Sequence, residues 1–342
     1  MKNQTSYYPH LDALKGLAIL LMVMGHVIPW TLNEADFLHQ PINQLTGVEL
    51  YNSIVYKFIY AFHMPLLFFV SGFLFYRDTA YNIEHIKSIL IKRTHRLLIP
   101  YFVTGTLLWM ARGHWGYWFL QMLFFLNIYT ALLLFFVNSV KNRIQEFSIY
   151  VIGFLILYAI NKSFPNLETE TQGVVVIARA NAYYPAFMLG ILCKRYKNFE
   201  SFIRNEHIVF ASLIIFILLF WINGIEIPMF GFIRAILLPL AMITYLNHFF
   251  INKSYQSQNG GGILSFVGKN SLEVYLLHVF FTMQFKEIGE FMLSLDSPFT
   301  CITFQIVYSF VLSVISIGLS ILTADFLKNS NVLKRFMFGL CK

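Results

Sequence analysis

Ten residues separate Lys15 from His26 in a stretch that is otherwise almost wholly apolar. On a helix this spacing is about three turns, so the two side chains lie nearly on one face with a rise of ~16 Å between them. An amine and an imidazole placed so can hold an anion at one level and move a proton at another. Each also has a plainer reading: Lys15 would snorkel to a headgroup layer, and His26 would be a buried, hydrogen-bonded structural histidine. A second imidazole stands in His63-Met64-Pro65. Pro65 removes a helical donor and strands the carbonyl of Ala61, which predicts a bend lining a cavity that other polar groups or water can reach. Beyond it, Ser71-Gly72 is either a hydroxyl for binding or a small-residue packing seam.

Cations gather next. Lys92, Arg93 and Arg96 follow one another, with Arg93 and Arg96 one turn apart on a common face. Guanidinium forks match phosphate oxygens in pairs, so these residues can form a phosphate clamp. The same charges would also satisfy the orientation rule of membrane proteins or attract anionic lipid. Arg179 and Arg234 each stand a little over one turn inside an apolar segment, ~7 Å by helical rise, and outward snorkelling is open to both. Tyr275 and His278, spaced i and i+3, share one face and read as a binding pair or as an interhelical hydrogen-bond pair. The cations thus gather at one end, and His26, His63, Arg179 and Arg234 at the other. Two ligands approaching from opposite sides fit that layout.

The elements that position these groups must be membrane helices. The chain has 342 residues, 57% hydrophobic, with a mean hydropathy of +0.62 and 12% charged residues, where a soluble domain carries about 25%. A water-soluble enzyme is excluded. Ten charge-poor stretches recur, approximately 11–28, 54–75, 97–111, 117–137, 147–160, 174–193, 207–223, 230–250, 270–292 and 300–326. At ~20 residues per crossing they account for about 200 residues and leave short connections. The longest, roughly 29–52, cannot enclose a core of its own. The expectation is an all-α, polytopic transmembrane bundle of about ten helices, a single membrane domain over residues 1–342, with any active site inside the bundle or at its rim.

With the N-terminus inside, eighteen Lys and Arg fall in cytoplasmic segments and three in outer loops, which places both termini in the cytoplasm. The net charge of +8 then follows from topology and not from nucleic-acid binding. Cys193, Cys301 and Cys341 have neither metal-ligand nor CxxC spacing, so no metal site or disulfide framework is expected. The first apolar stretch lacks a small-residue cleavage pattern and reads as a retained helix. Gly268-Lys269-Asn270-Ser271 resembles the end of a phosphate loop, but the upstream glycine spacing and preceding strand are missing. Asn270 with Glu273 fits a capping box opening the ninth helix, and Asn259 to Gly262 reads as a flexible cytoplasmic linker.

Leu11-Asp12-Ala13-Leu14-Lys15-Gly16, followed by His26, resembles the first-helix signature of the acyltransferase-3 family of integral-membrane acyltransferases: a basic residue, ten residues, then histidine. Tyr60-Ala61-Phe62-His63-Met64-Pro65-Leu66 running through Ser71-Gly72-Phe73-Leu74 is similar to that family's second helix, in the form seen in fucose 4-O-acetylase relatives. Lys92-Arg93 to Arg96-Leu97 with Pro100, Trp118-Phe119-Leu120, Phe187 to Gly190, and Gly268 to Glu273 with Tyr275 and His278 continue the match in order. The resemblance spans essentially the whole chain. It departs at Lys15, where many members have arginine, which keeps the charge but loses the planar fork. Some members carry an additional soluble transferase domain; none is expected here, nor a handover between domains.

The resemblance implies transfer of an acyl group, usually acetyl, from cytoplasmic acyl-coenzyme A to a hydroxyl of an envelope polysaccharide or lipid-linked glycan at the cell membrane. Acetyl-CoA would be a co-substrate, with no metal. Lys15, Arg93 and Arg96 would meet the coenzyme's phosphates, Ser71 or backbone donors freed around Pro65 would face the thioester oxyanion, and His26 would take the acceptor's proton. His63, Trp118, Arg179, Tyr275 and His278 would shape the acceptor pocket. An imidazole of pKa ~6.5 suits a hydroxyl nucleophile at neutral pH, a contribution of roughly 10²- to 10⁴-fold. Two other classes remain: a transporter or flippase that uses the same cations to guide an anionic metabolite or glycolipid, and a catalytically inert structural subunit, which would not need every basic and histidine position occupied.

Overall fold

The computed structural model describes residues 8–113, 115–163, 179–222, 230–256 and 262–340, and among these it contains helices and no strand. The helices are α1 (Pro9–Thr31), α2 (Gly47–Tyr60), α3 (His63–Phe75), α4 (Ile83–Arg93), α5 (Ile99–Arg112), α6 (Trp118–Val137), α7 (Arg143–Ser163) and α8 (Ala180–Arg195). They continue as α9 (Lys197–Ile203), α10 (Glu206–Trp221), α11 (Phe230–Gln256), α12 (Ile263–Lys269), α13 (Ser271–Phe281), α14 (Lys286–Leu293), α15 (Pro298–Leu327) and α16 (Asn331–Phe338). The molecule is an all-α polytopic membrane protein.

Among the described residues, six helical segments are long and apolar enough to cross a bilayer: Pro9–Thr31, Gly47–Phe75, Trp118–Val137, Arg143–Ser163, Phe230–Asn252 and Pro298–Leu327. A seventh is added if α9 and α10, bent by 61° at their junction, form one span. The other expected crossings differ for local reasons. α5 is 14 residues long, preceded by a π-helical turn over Thr94–Leu98 and stopped by Gly113 in the left-handed region at φ 73°. α8 has 16 described residues, and the expected start at residue 174 lies outside the described residues, as do the end at 223 and most of the linker at 259–262. The expected ninth crossing is two helices, α13 and α14, parted at residues 282–285. There Thr282 turns its Oγ1 and its N–H onto the carbonyl of His278, at 2.8 and 2.9 Å, and ends the helix.

The backbone divides into two compact units: Met1–Val70 with Asn198–Ala324, and Ser71–Lys197 with Asp325–Lys342. In the first, α1 opens on Pro9, where a missing N–H costs nothing, and it is apolar on nearly every face, as a helix buried in a bundle must be. Its crossing with α12 is backbone to backbone. A Cβ at Gly16 would run into the carbonyl of Leu264, and one at Gly268 into that of Asp12, so both positions require glycine. The capping box expected at Asn270 is not formed: its amide donates to the Phe266 carbonyl at 3.0 Å and finishes α12 instead. On α15 the polarity of a soluble helix is reversed. Gln305, Ser309, Ser313, Ser316 and Ser320 are buried along one face, while Ile306, Val307, Phe310 and Val314 point outward.

In the second unit, α7 packs against α6 and α8. An ion pair locks it: Arg195 Nε lies 2.7 Å from Glu146 Oε1, Tyr150 donates its hydroxyl to the same carboxylate at 2.7 Å, and Arg195 Nη1 donates to Tyr76 at 2.8 Å. The amphipathic α16 packs on α5. Its capping Gly339, at φ 62°, sits against the His95 carbonyl and the Arg96 backbone.

Candidate functional site

In the first unit an imidazole cluster forms where α1, α2, α3 and α13 meet. His26 stands on α1 near its end, partly exposed, and its Nδ1 lies 2.9 Å from Nε2 of His278 on α13. The two rings are almost parallel, 9° apart. His278 is buried, and its Nδ1 faces the carbonyls of Val274 and Tyr275 at 3.0 and 2.9 Å. The backbone carbonyl of His278 accepts from Ser316 of α15 at 3.2 Å as well as from Thr282. His278 therefore makes an interhelical hydrogen bond, and its partner is the very residue expected to handle the proton. The neighbouring Tyr275 is buried, its ring 6.4 Å from that of His278.

His63 closes the cluster. The break expected near Pro65 falls at Ala61-Phe62: α2 ends at Tyr60, and α3 begins at His63 with Pro65 in its first turn, where a missing N–H is harmless. At the break the Ile59 carbonyl accepts from the Phe62 N–H at 3.3 Å, and the Nδ1–H of His63 donates to it as well at 2.8 Å. His63 is 3% exposed, and its ring lies 4.9 Å from that of Tyr60. Tyr60 and Ile59 also press against Gly25, next to His26. In the last turn of α2, Lys57 donates its ammonium protons to the carbonyls of Phe37, Leu38 and Gln40, at 3.5, 2.7 and 2.5 Å, and so ties down the connection after α1.

Lys15, also in this unit, pairs with Asp12 one turn earlier at 2.7 Å. Arg234 does not stand free in an outer layer: its Nε donates at 2.6 Å to the Leu219 carbonyl near the end of α10.

The second unit holds a cavity of about 250 Å³ lined by Leu74, Phe75, Arg77, His85, Ser88, Ile89, Lys92, Arg93 and Arg96. No carboxylate lines it among the described residues. Arg93 stacks over the Phe75 ring at 5.8 Å. Burial, with the neighbouring Arg96 and Arg77 charges, lowers the Arg93 guanidinium to about 10, still a cation at neutral pH. Three guanidinium groups crowded without a carboxylate repel one another, and a multiply charged anion relieves that repulsion. Arg93 and Arg96 were expected here. Arg77, His85 and Ser88 were missed, although 85, 88, 89, 92, 93 and 96 repeat at three- and four-residue steps and mark one helical face. The π-helical turn at Thr94–Leu98 lies within this stripe and is held from behind by Gly339.

Of the remaining candidates, all in the second unit, Ser71 is half-buried at a helix crossing where its neighbour Gly72 lies against the Phe187 carbonyl. Trp118 opens α6, is exposed, and has its ring 5.2 Å from Tyr183. Arg179, exposed at the start of α8, acts electrostatically on the same Tyr183. Tyr183 thus joins two residues chosen separately, and the sequence offered no sign of it. No group of His, Cys, Asp and Glu able to hold a metal occurs among the described residues.

No curated protein and no solved structure matches the chain. A profile of the acyltransferase-3 family, described as an acyltransferase domain, matches residues 8–325, nearly the whole length and every candidate site residue expected from the sequence. With its apolar helices, this match makes the protein a multi-pass membrane acyltransferase belonging to the acyltransferase-3 family.

Proposed function

We propose that the protein moves an acyl group, acetyl in the simplest case, from cytoplasmic acyl-coenzyme A to a hydroxyl of an envelope polysaccharide or lipid-linked glycan, with His26 as the general base. The observation that carries this reading is the partly exposed imidazole of His26, held by a second imidazole and backed by buried helices. A sugar hydroxyl is a weak nucleophile, and a base within hydrogen-bond reach is what it lacks. The hydroxyl proton goes to His26, the oxygen attacks the thioester carbonyl, and the C–S bond breaks. The leaving thiolate then takes the proton from His26, so base and ring are restored and free coenzyme A departs.

The cavity around Arg77, Lys92, Arg93 and Arg96 supplies what the coenzyme's phosphates need: crowded cations with an aromatic face beside them. Lys15, on the side that the Lys and Arg distribution assigns to the cytoplasm, is paired with Asp12 and would meet a phosphate in competition with that carboxylate. Ser71 would donate to the thioester oxyanion, and His63, Tyr275, Trp118 and Arg179 would orient the acceptor, the last two as an aromatic and guanidinium surface around Tyr183. The cell membrane, with both termini in the cytoplasm, is the setting this requires.

Purified protein in lipid discs, given acetyl-coenzyme A and an envelope glycan fraction, should release free thiol and add one acetyl mass to the glycan. Transport of a glycolipid without thioester consumption would overturn the reading.

A further inference from the structure

His278 stands among the acceptor-binding candidates, but its contacts assign it other work. Its Nδ1 lies within 3.0 Å of two backbone carbonyls, those of Val274 and Tyr275. A carbonyl only accepts, so this nitrogen carries the proton. A neutral imidazole has one N–H, which leaves Nε2 of His278 as a bare acceptor. Nε2 is the atom that meets His26, at 2.9 Å from Nδ1. Two lone pairs would repel there, so Nδ1 of His26 must be the N–H. The proton order is therefore set from the backbone of α13 outward, one ring at a time, and it ends with a lone pair on Nε2 of His26.

From this geometry we infer that His278 is a positioning residue: it fixes His26 in the Nδ1–H tautomer and so leaves Nε2 as the atom that removes the acceptor's proton. The inference rests on His26 being the base and names the atom and the residue that make it one. The same contact serves the second half of the reaction. When Nε2 takes the hydroxyl proton, the ring becomes a cation and its Nδ1–H a stronger donor to His278, so the bond tightens as charge develops. The near-parallel rings, 9° apart, hold the His26 imidazole in one plane throughout. Ser316 and Thr282 bond to the backbone carbonyl of His278 and not to its ring, so they keep α13 in place whatever side chain stands at 278.

The test uses the full-length protein in lipid discs with three variants, His26→Ala, His278→Ala and His278→Gln. For His278→Ala, kcat is expected to fall ~10- to 100-fold, the range for losing a group that orients a working histidine, with the acceptor KM within about twofold. His278→Gln offers a carbonyl to the Nδ1–H of His26 and should regain most of that loss. In ¹⁵N-histidine spectra of the resting protein, His26 should show a protonated Nδ1 and a bare Nε2, and His278→Ala should give a mixture of tautomers. A raised acceptor KM with unchanged kcat in His278→Ala would make His278 a substrate contact and overturn the inference, as would a wild-type His26 protonated on Nε2. An active His26→Ala would instead remove the base itself; an inactive one beside a fully active His278→Ala would leave the base standing and remove only its positioning.

Discussion

The imidazole cluster and the basic cavity solve opposite problems. The cluster is built from imidazole rings, each with a ring nitrogen facing a backbone carbonyl or the next ring. The cavity is built from charges, Arg77, Lys92, Arg93 and Arg96, with no carboxylate in its lining among the described residues. A proton is moved where donors and acceptors are already assigned, so the cluster is local and held by short hydrogen bonds. A phosphate is held by field strength, so the cavity tolerates loose geometry and depends on ionic strength. On the proposed reading, the two halves of an acyl transfer, chemistry and donor binding, fall to different residues and to different physical forces.

The comparison breaks if either region takes over the other's readout. The largest effect is expected at His26→Ala: kcat should fall by roughly 10²- to 10⁴-fold, while equilibrium binding of acyl-coenzyme A stays as in the wild type. Weakened coenzyme binding in that variant would deny the separation. Next, Arg93→Gln with Arg96→Gln should raise the KM for acyl-coenzyme A by ~10- to 100-fold, since each lost charge-assisted bond costs roughly 1.5–3 kcal/mol and part of it is taken up by Arg77 and Lys92. Thioester turnover at saturating donor should stay near wild type, and a collapse of kcat would instead tie those arginines to the chemistry. Raising salt from about 0.05 to about 0.5 M should increase the donor KM several-fold and leave kcat unchanged; a salt-independent KM would mean that the cavity does not hold the phosphates. The smallest effect is expected at Gly339→Ala, where a left-handed φ of 62° and contact with the backbone of His95 and Arg96 disfavour any side chain. A strain of ~1–2 kcal/mol passed to the π-helical turn would raise the donor KM a few-fold, and a wild-type KM would show that α16 does not steady the arginines.

Much of this arrangement could be read from residue order, for reasons that differ by element. α1 is continuous, apolar and opened by a proline, so periodicity alone placed Lys15 and His26 on one face. The α2–α3 break could be foreseen because Pro65 demands one, but not its position: the ring settles into a first turn, and the break moves back to Ala61-Phe62. The break between α13 and α14 could not be foreseen, because residues 282–285 contain neither glycine nor proline and the termination comes from the Thr282 side chain on the His278 carbonyl. Arg93 and Arg96 announced themselves by charge, while His85 and Ser88 did not, because their contribution comes only from the face they share with the arginines. The pairing of His26 with His278, 252 positions apart, leaves no local trace at all; each residue could be singled out alone as costly within a membrane, and only packing joins them.

The buried hydroxyl stripe on α15 acts as a rotational detent. Turning the helix by one residue, about 100°, would swing Gln305, Ser309, Ser313, Ser316 and Ser320 toward hydrocarbon and bring aliphatic groups inward. The hydroxyls of Ser309 and Ser320 bond to carbonyls of their own helix and would travel with it, but Gln305 would lose the Asn52 carbonyl and Ser316 the His278 carbonyl, at ~1–3 kcal/mol for each group so stranded, although the outer surface of the helix is bland and would grip lipid equally well at any angle. Lipids of different thickness can therefore tilt this helix without twisting it, and Ser316 keeps its hold on the turn that carries His278.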